Sequence, residues 1–383
     1  MKRICLVLAF LFAAIALASC GSGSDSDVIK IGVNYELSKD VATYGQSSVE
    51  GIELAIEQIN EAGGVNGKKI KLIKYDNESN PSIALTLTTR LMTQDKVVAV
   101  LGPATSGAFG STIPLAMQHK IPIASGSATA DGLLVDENGN VKEYAFRICF
   151  NDSYQGRAMA NFALNNLKKT KAVIIKDNSS DYGKGLAENF KKTFTDNGGT
   201  IVAEEAYVKN EVDFNAILTG IKGKDFDVIF IPGYYNEAGL IIKQARAMGI
   251  DVPILGADGF DSPELVNLAG EDALNDVYFS NHYSPLDESP VVVDFIESFK
   301  KKYNKEPDAF NALGYDLANF VVDGIKRAES LTGKAVKDAL EATKDFEGVT
   351  GSFSIDENHD PVKALIIIEL QNGKQVSTIR AGN

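Results

Sequence analysis

Val28-Ile29-Lys30-Ile31-Gly32-Val33-Asn34 is followed by Val49, Ile52, Ile56 and Ile59, then by Ala62-Gly63-Gly64, and then by a second apolar run from Ile70 to Tyr75. A short, β-branched apolar run predicts a buried strand, and apolar residues three or four apart predict a helix. Glycine straight after the helix fits a left-handed cap. The alternation goes on: Val97–Leu101 and Ile121–Ser125 read as strands, and Leu87 and Leu91 with their neighbours mark another helix. Strand–helix alternation of this kind predicts a parallel sheet covered by helices on both faces.

The pattern then restarts. Ala172–Lys176, Thr200–Ala206, Val228–Pro232 and Pro253–Gly256 read as strands, separated by helical stretches at Tyr182–Thr195, Asp213–Ile221 and Asn236–Met248. Asn197-Gly198-Gly199 before Ile201 echoes Ala62-Gly63-Gly64 before Ile70, which suggests two halves of like topology. The last third departs from the alternation, with helical patterns at Val291–Tyr303, Asn311–Glu329 and Ala335–Ala342 before a single apolar strand, Ala364–Leu370. That ending suits a chain that crosses between two lobes and closes each sheet late.

Length and charge agree with two folded units. The 383 residues exceed one ordinary domain, at roughly 150 residues each. A hydrophobic fraction of 44% can supply a sizeable core. Thirty-eight Lys+Arg against 51 Asp+Glu leave a net charge of −13, which repels a polyphosphate backbone and argues against a nucleic-acid partner. His119, His282 and His359 are too scattered for a metal site, and three cysteines are too few for a disulfide scaffold. Neither a metal nor a cofactor is expected.

Lys2 and Arg3 precede a continuous apolar run, Ile4–Ala18, the charged and hydrophobic regions of an export signal that is short for a membrane span. The run ends in Leu17-Ala18-Ser19-Cys20, which resembles the lipobox of bacterial lipoproteins. That resemblance implies cleavage after residue 19, acylation of Cys20, and a chain lipid-anchored to the cell envelope. Gly21–Asp27 has no apolar residue and reads as a flexible tether. Cys5 leaves with the signal and Cys20 is acylated, so Cys149 is expected to be a buried, unpaired small hydrophobe.

Common α/β catalytic motifs do not occur. No G-x-G-x-x-G follows a strand, and there is no G-x-S-x-G elbow, H-E-x-x-H or C-x-x-C. Gly63-Gly64-Val65-Asn66-Gly67-Lys68 comes after a helix, so it reads as a turn instead of a phosphate cradle. The informative loops are those at the carboxyl ends of the strands, where a doubly wound sheet binds ligands. In the first half these are Gly102-Pro103-Ala104-Thr105-Ser106-Gly107 and Ser125-Gly126-Ser127-Ala128-Thr129. A lone hydroxyl residue before a helix is ordinarily an N-cap, but two such loops on adjacent strand ends can converge on a carboxylate. The second half offers Asp177–Gly183, Gly233-Tyr234-Tyr235 and Gly256-Ala257-Asp258-Gly259, hence one acid and two phenols opposite a hydroxyl-rich anion site. That constellation suits a zwitterion.

Ile59–Lys68 with Tyr75-Asp76-Asn77, Asp181-Tyr182-Gly183-Lys184-Gly185 and Gln244-Ala245-Arg246-Ala247-Met248-Gly249 resemble motifs of the leucine/isoleucine/valine-binding protein family, the type I periplasmic receptors of branched-chain amino acid ABC importers. The resemblance covers Val28–Gln371. It implies two Rossmann-like α/β lobes with parallel sheets, joined by a three-segment hinge: residues 28–149 plus 281–355 as the N-terminal lobe, and 150–280 plus 356–383 as the C-terminal lobe. By the same resemblance, Ser106 and Thr129 bind the ligand carboxylate with help from backbone near Ala104 and Ser127, and Thr105 stands where the family has a cysteine. Asp258 takes the place of the acid that receives the α-ammonium, Tyr182 and Tyr234 are aromatic contacts from the second lobe, and Tyr44 and Phe310 line the side-chain pocket. The family's acid is Glu, so the shorter Asp258 shifts the ammonium or recruits a water.

The implied function is an exported, monomeric, lipid-anchored receptor that carries an amino acid, branched-chain by preference, to ABC permease subunits. The alternative is a sensor of the same fold that binds urea, a short amide or another small amino acid and docks a receptor. An α/β enzyme acting on an amino acid is the weakest reading, because no nucleophile–base pair is visible.

Overall fold

Val28–Tyr35 forms β1, the second strand of a five-stranded parallel sheet ordered β2-β1-β3-β4-β5. Its partners are β2 (Lys69–Asp76), β3 (Val100–Leu101), β4 (Ile123–Ser125) and β5 (Ala145–Arg147). Three helices connect the early strands of this sheet: α1 (Ala42–Glu61), α2 (Pro81–Arg90) and α3 (Ser106–His119). The computed structural model describes residues 28–381; the export segment, Cys5, Cys20 and the tether lie outside the described residues.

The second half builds its own sheet, ordered β14-β13-β10-β9-β8-β6-β7. In chain order it runs α4 (Asp152–Asn165), β6 (Lys171–Asp177), α5 (Asp181–Asp196), β7 (Thr200–Tyr207), α6 (Asn215–Lys222), β8 (Val228–Phe230), α7 (Tyr235–Ala247), β9 (Ile254–Gly256), α8 (Pro263–Ala269) and β10 (Val277–Asn281). Strands β6 to β10 pair in parallel, and β8, β9 and β10 are buried throughout, as strands covered on both faces must be. The chain then returns to the first sheet as α9 (Pro290–Tyr303), α10 (Ala309–Arg327) and α11 (Gly333–Glu341); α9 and α10 pack on α1, and α11 packs on α10. A two-residue pair, β11 (Ser354–Ile355) with β12 (Pro361–Val362), precedes β13 (Ile366–Gln371) and β14 (Lys374–Arg380).

The ending is a correction. A single terminal strand was expected, whereas β13 and β14 form an antiparallel hairpin whose first arm pairs antiparallel with β10. Strand β14 escapes an apolar-run reading because its residues alternate between exposed and half-buried at the sheet edge. The lobe assignment also shifts at its last boundary. Residues 356–362 were expected in the C-terminal lobe, yet the His359 ring stacks on Phe146 at 4.2 Å and Asp360 pairs with Arg147, so this segment sits against β5 of the first sheet. Cys149, buried and free, lies on the first crossing between the sheets, as a small hydrophobe.

Two close helix contacts place the site. At the crossing of α1 and α10 the backbones touch: a Cβ on Gly51 would lie 1.9 Å from the Asn311 carbonyl oxygen, and one on Gly314 would lie 2.0 Å from that of Ser48. This approach, with an Asp308–Asn311 capping box that starts α10, brings Phe310 onto Tyr44 in a stacked pair at 4.2 Å. Gly314→Ala is therefore expected to lower stability by about 1–3 kcal/mol despite its better helix propensity. Gly220→Ala, in α6 with nothing near its would-be Cβ, is expected to raise stability by roughly 0.4–1 kcal/mol. Thermal or urea unfolding of the two variants checks the pair, and equal shifts would contradict the packing argument.

Candidate functional site

The carboxyl ends of the two sheets face each other across a small cavity with room for about 10 Å³. The switch in strand order falls between β1 and β3 in one sheet and between β6 and β8 in the other, and the cavity lies at both. Of the residues expected from sequence, Tyr44, Ala104, Thr105, Ser106, Ser127, Tyr182, Tyr234, Asp258 and Phe310 line it, together with Gly259. Thr129 is fully buried outside the lining; its hydroxyl has no hydrogen-bond partner among the described residues.

On the first-sheet side, Ser106 opens α3, whose first-turn N–H groups have no acceptor within the helix. The Ser106 Oγ accepts from the Ala130 N–H at 3.0 Å, which leaves its own proton free for an anion. The Ser127 hydroxyl donates to the Ala104 carbonyl at 3.0 Å. Thr105 and the Ala104 amide, expected to face a ligand carboxylate, are engaged elsewhere. Both N–H groups and the Thr105 hydroxyl donate to the buried carboxylate of Glu36 at 3.0, 3.0 and 2.7 Å. Thr105 thus lines the cavity with its only side-chain proton turned away from it.

The second-sheet side centres on Asp258, which is 4% exposed. Its Oδ1 accepts from the Tyr182 hydroxyl at 2.7 Å, and that hydroxyl accepts from the Gly259 N–H at 2.9 Å. Tyr182 stacks on Tyr234 with ring centroids 5.0 Å apart and ring planes nearly parallel. Behind them, Gln155 accepts from the Asp258 N–H at 3.3 Å and from Ser280 at 2.7 Å. The other carboxylate oxygen of Asp258 has His282 Nε2 at 3.6 Å, too far for a hydrogen bond. Burial lowers His282 from its ordinary 6.5 to about 4, so at neutral pH the imidazole is uncharged and cannot serve as a counter-ion.

Asp258 is not the only acid here. Asp152, at the start of α4, is fully buried and held well above the usual carboxylate range, first by desolvation and then by the charge of Asp258. Sequence reasoning missed Glu36, Asp152, Gln155 and His282. Glu36 carried a usable signal, an acid set directly after a buried parallel strand, while the other three become neighbours only through the packing of α4 and β10.

The two sides already touch. The Tyr44 hydroxyl donates to the Gly259 carbonyl at 2.5 Å, Thr43 and Ser262 hydroxyls meet at 3.1 Å, and Asn236 donates to the Asp40 carbonyl at 2.7 Å. Lys209 adds an ion pair to the Asp40 carboxylate at 2.7 Å. This is a closed cleft. The periplasmic binding protein family matches residues 28–375. The chain belongs to that family.

Relatives within this family point the same way. The leucine-, isoleucine-, valine-, threonine- and alanine-binding protein of Pseudomonas aeruginosa is 29% identical over 362 residues, 94% of each chain. The branched-chain amino acid transporter substrate binding protein LivJ of Streptococcus pneumoniae, solved in complex with isoleucine, is 43% identical with a TM-score of 0.87, over 92% of this chain and 99% of that one. The leucine binding protein LivK of Thermotoga maritima is 33% identical with a TM-score of 0.85, over 92% and 98%. The expected fold, two Rossmann-like lobes of the type I periplasmic binding protein kind, is thereby borne out, and family membership places the chain outside the cytoplasm.

The neutral state of His282 carries a pH signature. Its folded value of about 4 lies below its unfolded 6.5, so the unfolded chain takes up the proton first and stability falls as pH drops from 6.5 towards 4. Over that range, wild type is expected to lose on the order of 3 kcal/mol more than His282→Gln. Parallel unfolding titrations of the two proteins test this, and identical pH profiles would show that His282 is not held neutral.

Proposed function

We propose that this protein captures a branched-chain amino acid between its two lobes and delivers it to an ABC importer. The observation that carries the reading is the buried carboxylate of Asp258, which among the described residues has no charged cation in ion-pair reach, facing the anion-favouring start of α3 across the cavity. A zwitterion supplies both missing partners. Its carboxylate is assigned to the Ser106 hydroxyl and the first-turn amides of α3. Its ammonium goes to Asp258, beside the Tyr182 hydroxyl, and its apolar side chain goes against Tyr44, Phe310 and Tyr234.

Delivery follows from closure. Residues near 148–151, 282–289 and 363–365 act as the hinge, and the ligand favours the closed state because only there do both lobes touch it. The isoleucine, leucine and valine in the names of the relatives support the branched-chain class, and the transporter in the LivJ name supports the ABC importer. The Leu17–Cys20 box supports attachment to the membrane through Cys20, with at least two acyl chains because one alone holds only marginally. Mass spectrometry of the exported protein should find an acylated Cys20 as the first residue, and an unmodified Cys20 would contradict the anchor.

Asp258→Asn keeps the shape of the acid and removes its charge, which leaves an enclosed ammonium without a counter-ion. The expected loss is roughly 2–5 kcal/mol, on the order of thirty- to several-thousand-fold in affinity. Calorimetric titration with leucine, isoleucine, valine, urea and a short amide tests both the ligand class and the residue. Retained affinity in the variant would remove Asp258 from the site, and binding of urea or the amide alone would favour a sensor of other small solutes.

A further inference from the structure

Glu36 follows β1 directly and is fully buried, yet it does not line the cavity. Its Oε2 accepts from the Ala104 N–H and its Oε1 from the Thr105 N–H and hydroxyl. A carboxylate is an acceptor only, so three donors from two consecutive residues hold the loop before α3 from behind. The next residue, Ser106, faces the cavity with its hydroxyl proton free. By drawing the Ala104 and Thr105 donors to itself, Glu36 also withdraws them from any ligand. What remains towards the cavity is the Ser106 hydroxyl and the first-turn amides of α3, an anion site of single-carboxylate size.

We infer that Glu36 is a positioning residue that sets the carboxylate end of the amino-acid site and, with it, the preference for a free α-carboxylate. The inference rests on the ligand class proposed above. Glutamine at this position has the same shape but replaces one acceptor oxygen with an NH₂ donor. Either the Ala104 N–H or the Thr105 pair then meets a donor in a buried place, and the loop has to shift to relieve it. A shift of the loop moves Ser106 and the start of α3 but leaves Asp258 and the aromatic side-chain pocket in place. The carboxylate contact is lost selectively.

Leucine and leucinamide separate these effects, because leucinamide keeps the ammonium and side chain and replaces the carboxylate with a neutral amide. Calorimetric affinities for both probes are measured with the full chain as wild type, Glu36→Gln, Thr105→Ala and Thr105→Ser. Wild type is expected to prefer leucine, and Glu36→Gln to shrink that preference on the order of ten- to hundredfold, the worth of one hydrogen bond to a charged group. Thr105→Ala removes one of the three donors and should shrink the preference several-fold, while Thr105→Ser keeps the donor and should restore it. A folded Glu36→Gln that weakens both probes by the same factor, or binds leucine more tightly, overturns the inference. Should Glu36→Gln not fold, the Thr105 pair decides, and an unchanged preference in Thr105→Ala overturns it equally. Wild type that binds the two probes alike contradicts the proposed ligand class itself, whereas a discriminating wild type with unchanged variants contradicts only the role of Glu36.

Discussion

A buried carboxylate must find donors, lose its charge or take a cation, and Glu36, Asp152 and Asp258, where the two sheets meet, differ in which they do. Glu36 finds donors, three of them from one loop. Asp152 is pushed towards its neutral form by burial and by its neighbour. Asp258 has a donor at one oxygen, the Tyr182 hydroxyl, while the imidazole near the other is neutral. A buried acid oxygen without a partner is costly, so the group left in this condition is the one that a cationic ligand stabilises. The polarity of the site follows from how each acid is resolved.

The fold produces that arrangement because parallel strands end in a row. Successive β–α units put all their carboxyl-end loops on one edge, and the reversal of strand order opens a crevice there. Two such edges facing each other surround a small solute with loops instead of strands, so its contacts vary without disturbing the sheets. The backbone contact at Gly51 and Gly314 makes α1 and α10 one rigid piece, which fixes Tyr44 and Phe310 together. Tyr44 in turn reaches Gly259 on the other side, so the aromatic wall of the cavity is also a bridge across the closed cleft.

Most of the architecture was legible from the sequence because strands covered on both faces read as unbroken apolar runs, as Ala172–Ile175 and Val228–Phe230 do. The left-handed caps were legible too: Gly63, Gly64 and Gly198 all take positive φ. What escaped lacked that signal. Strand β5 has only three residues, β10 is buried throughout but its apolar run Val277–Phe279 gives way to Ser280 and Asn281, and the exposed edge strand β14 never presents a fully buried face. In the site, loop composition picked out the cavity-lining residues other than Tyr44 and Phe310, which only the family resemblance implied, but it could not tell a hydroxyl aimed at the cavity from one aimed behind it. Ser106 and Thr105 are adjacent and chemically alike, and only the position of Glu36 distinguishes them. Likewise Asp152 and His282 lie far from Asp258 in sequence and gain their meaning from burial beside it.

The central claim is that one lobe holds the negative end of a zwitterion and the other lobe the positive end. A crystal structure of the protein with leucine tests it most directly. The account predicts the ammonium within hydrogen-bond distance of Asp258, the carboxylate at Ser106 and the start of α3, and the side chain against Tyr44 and Phe310. Leucine bound in the reverse orientation, or outside the cleft between the two sheets, would contradict it.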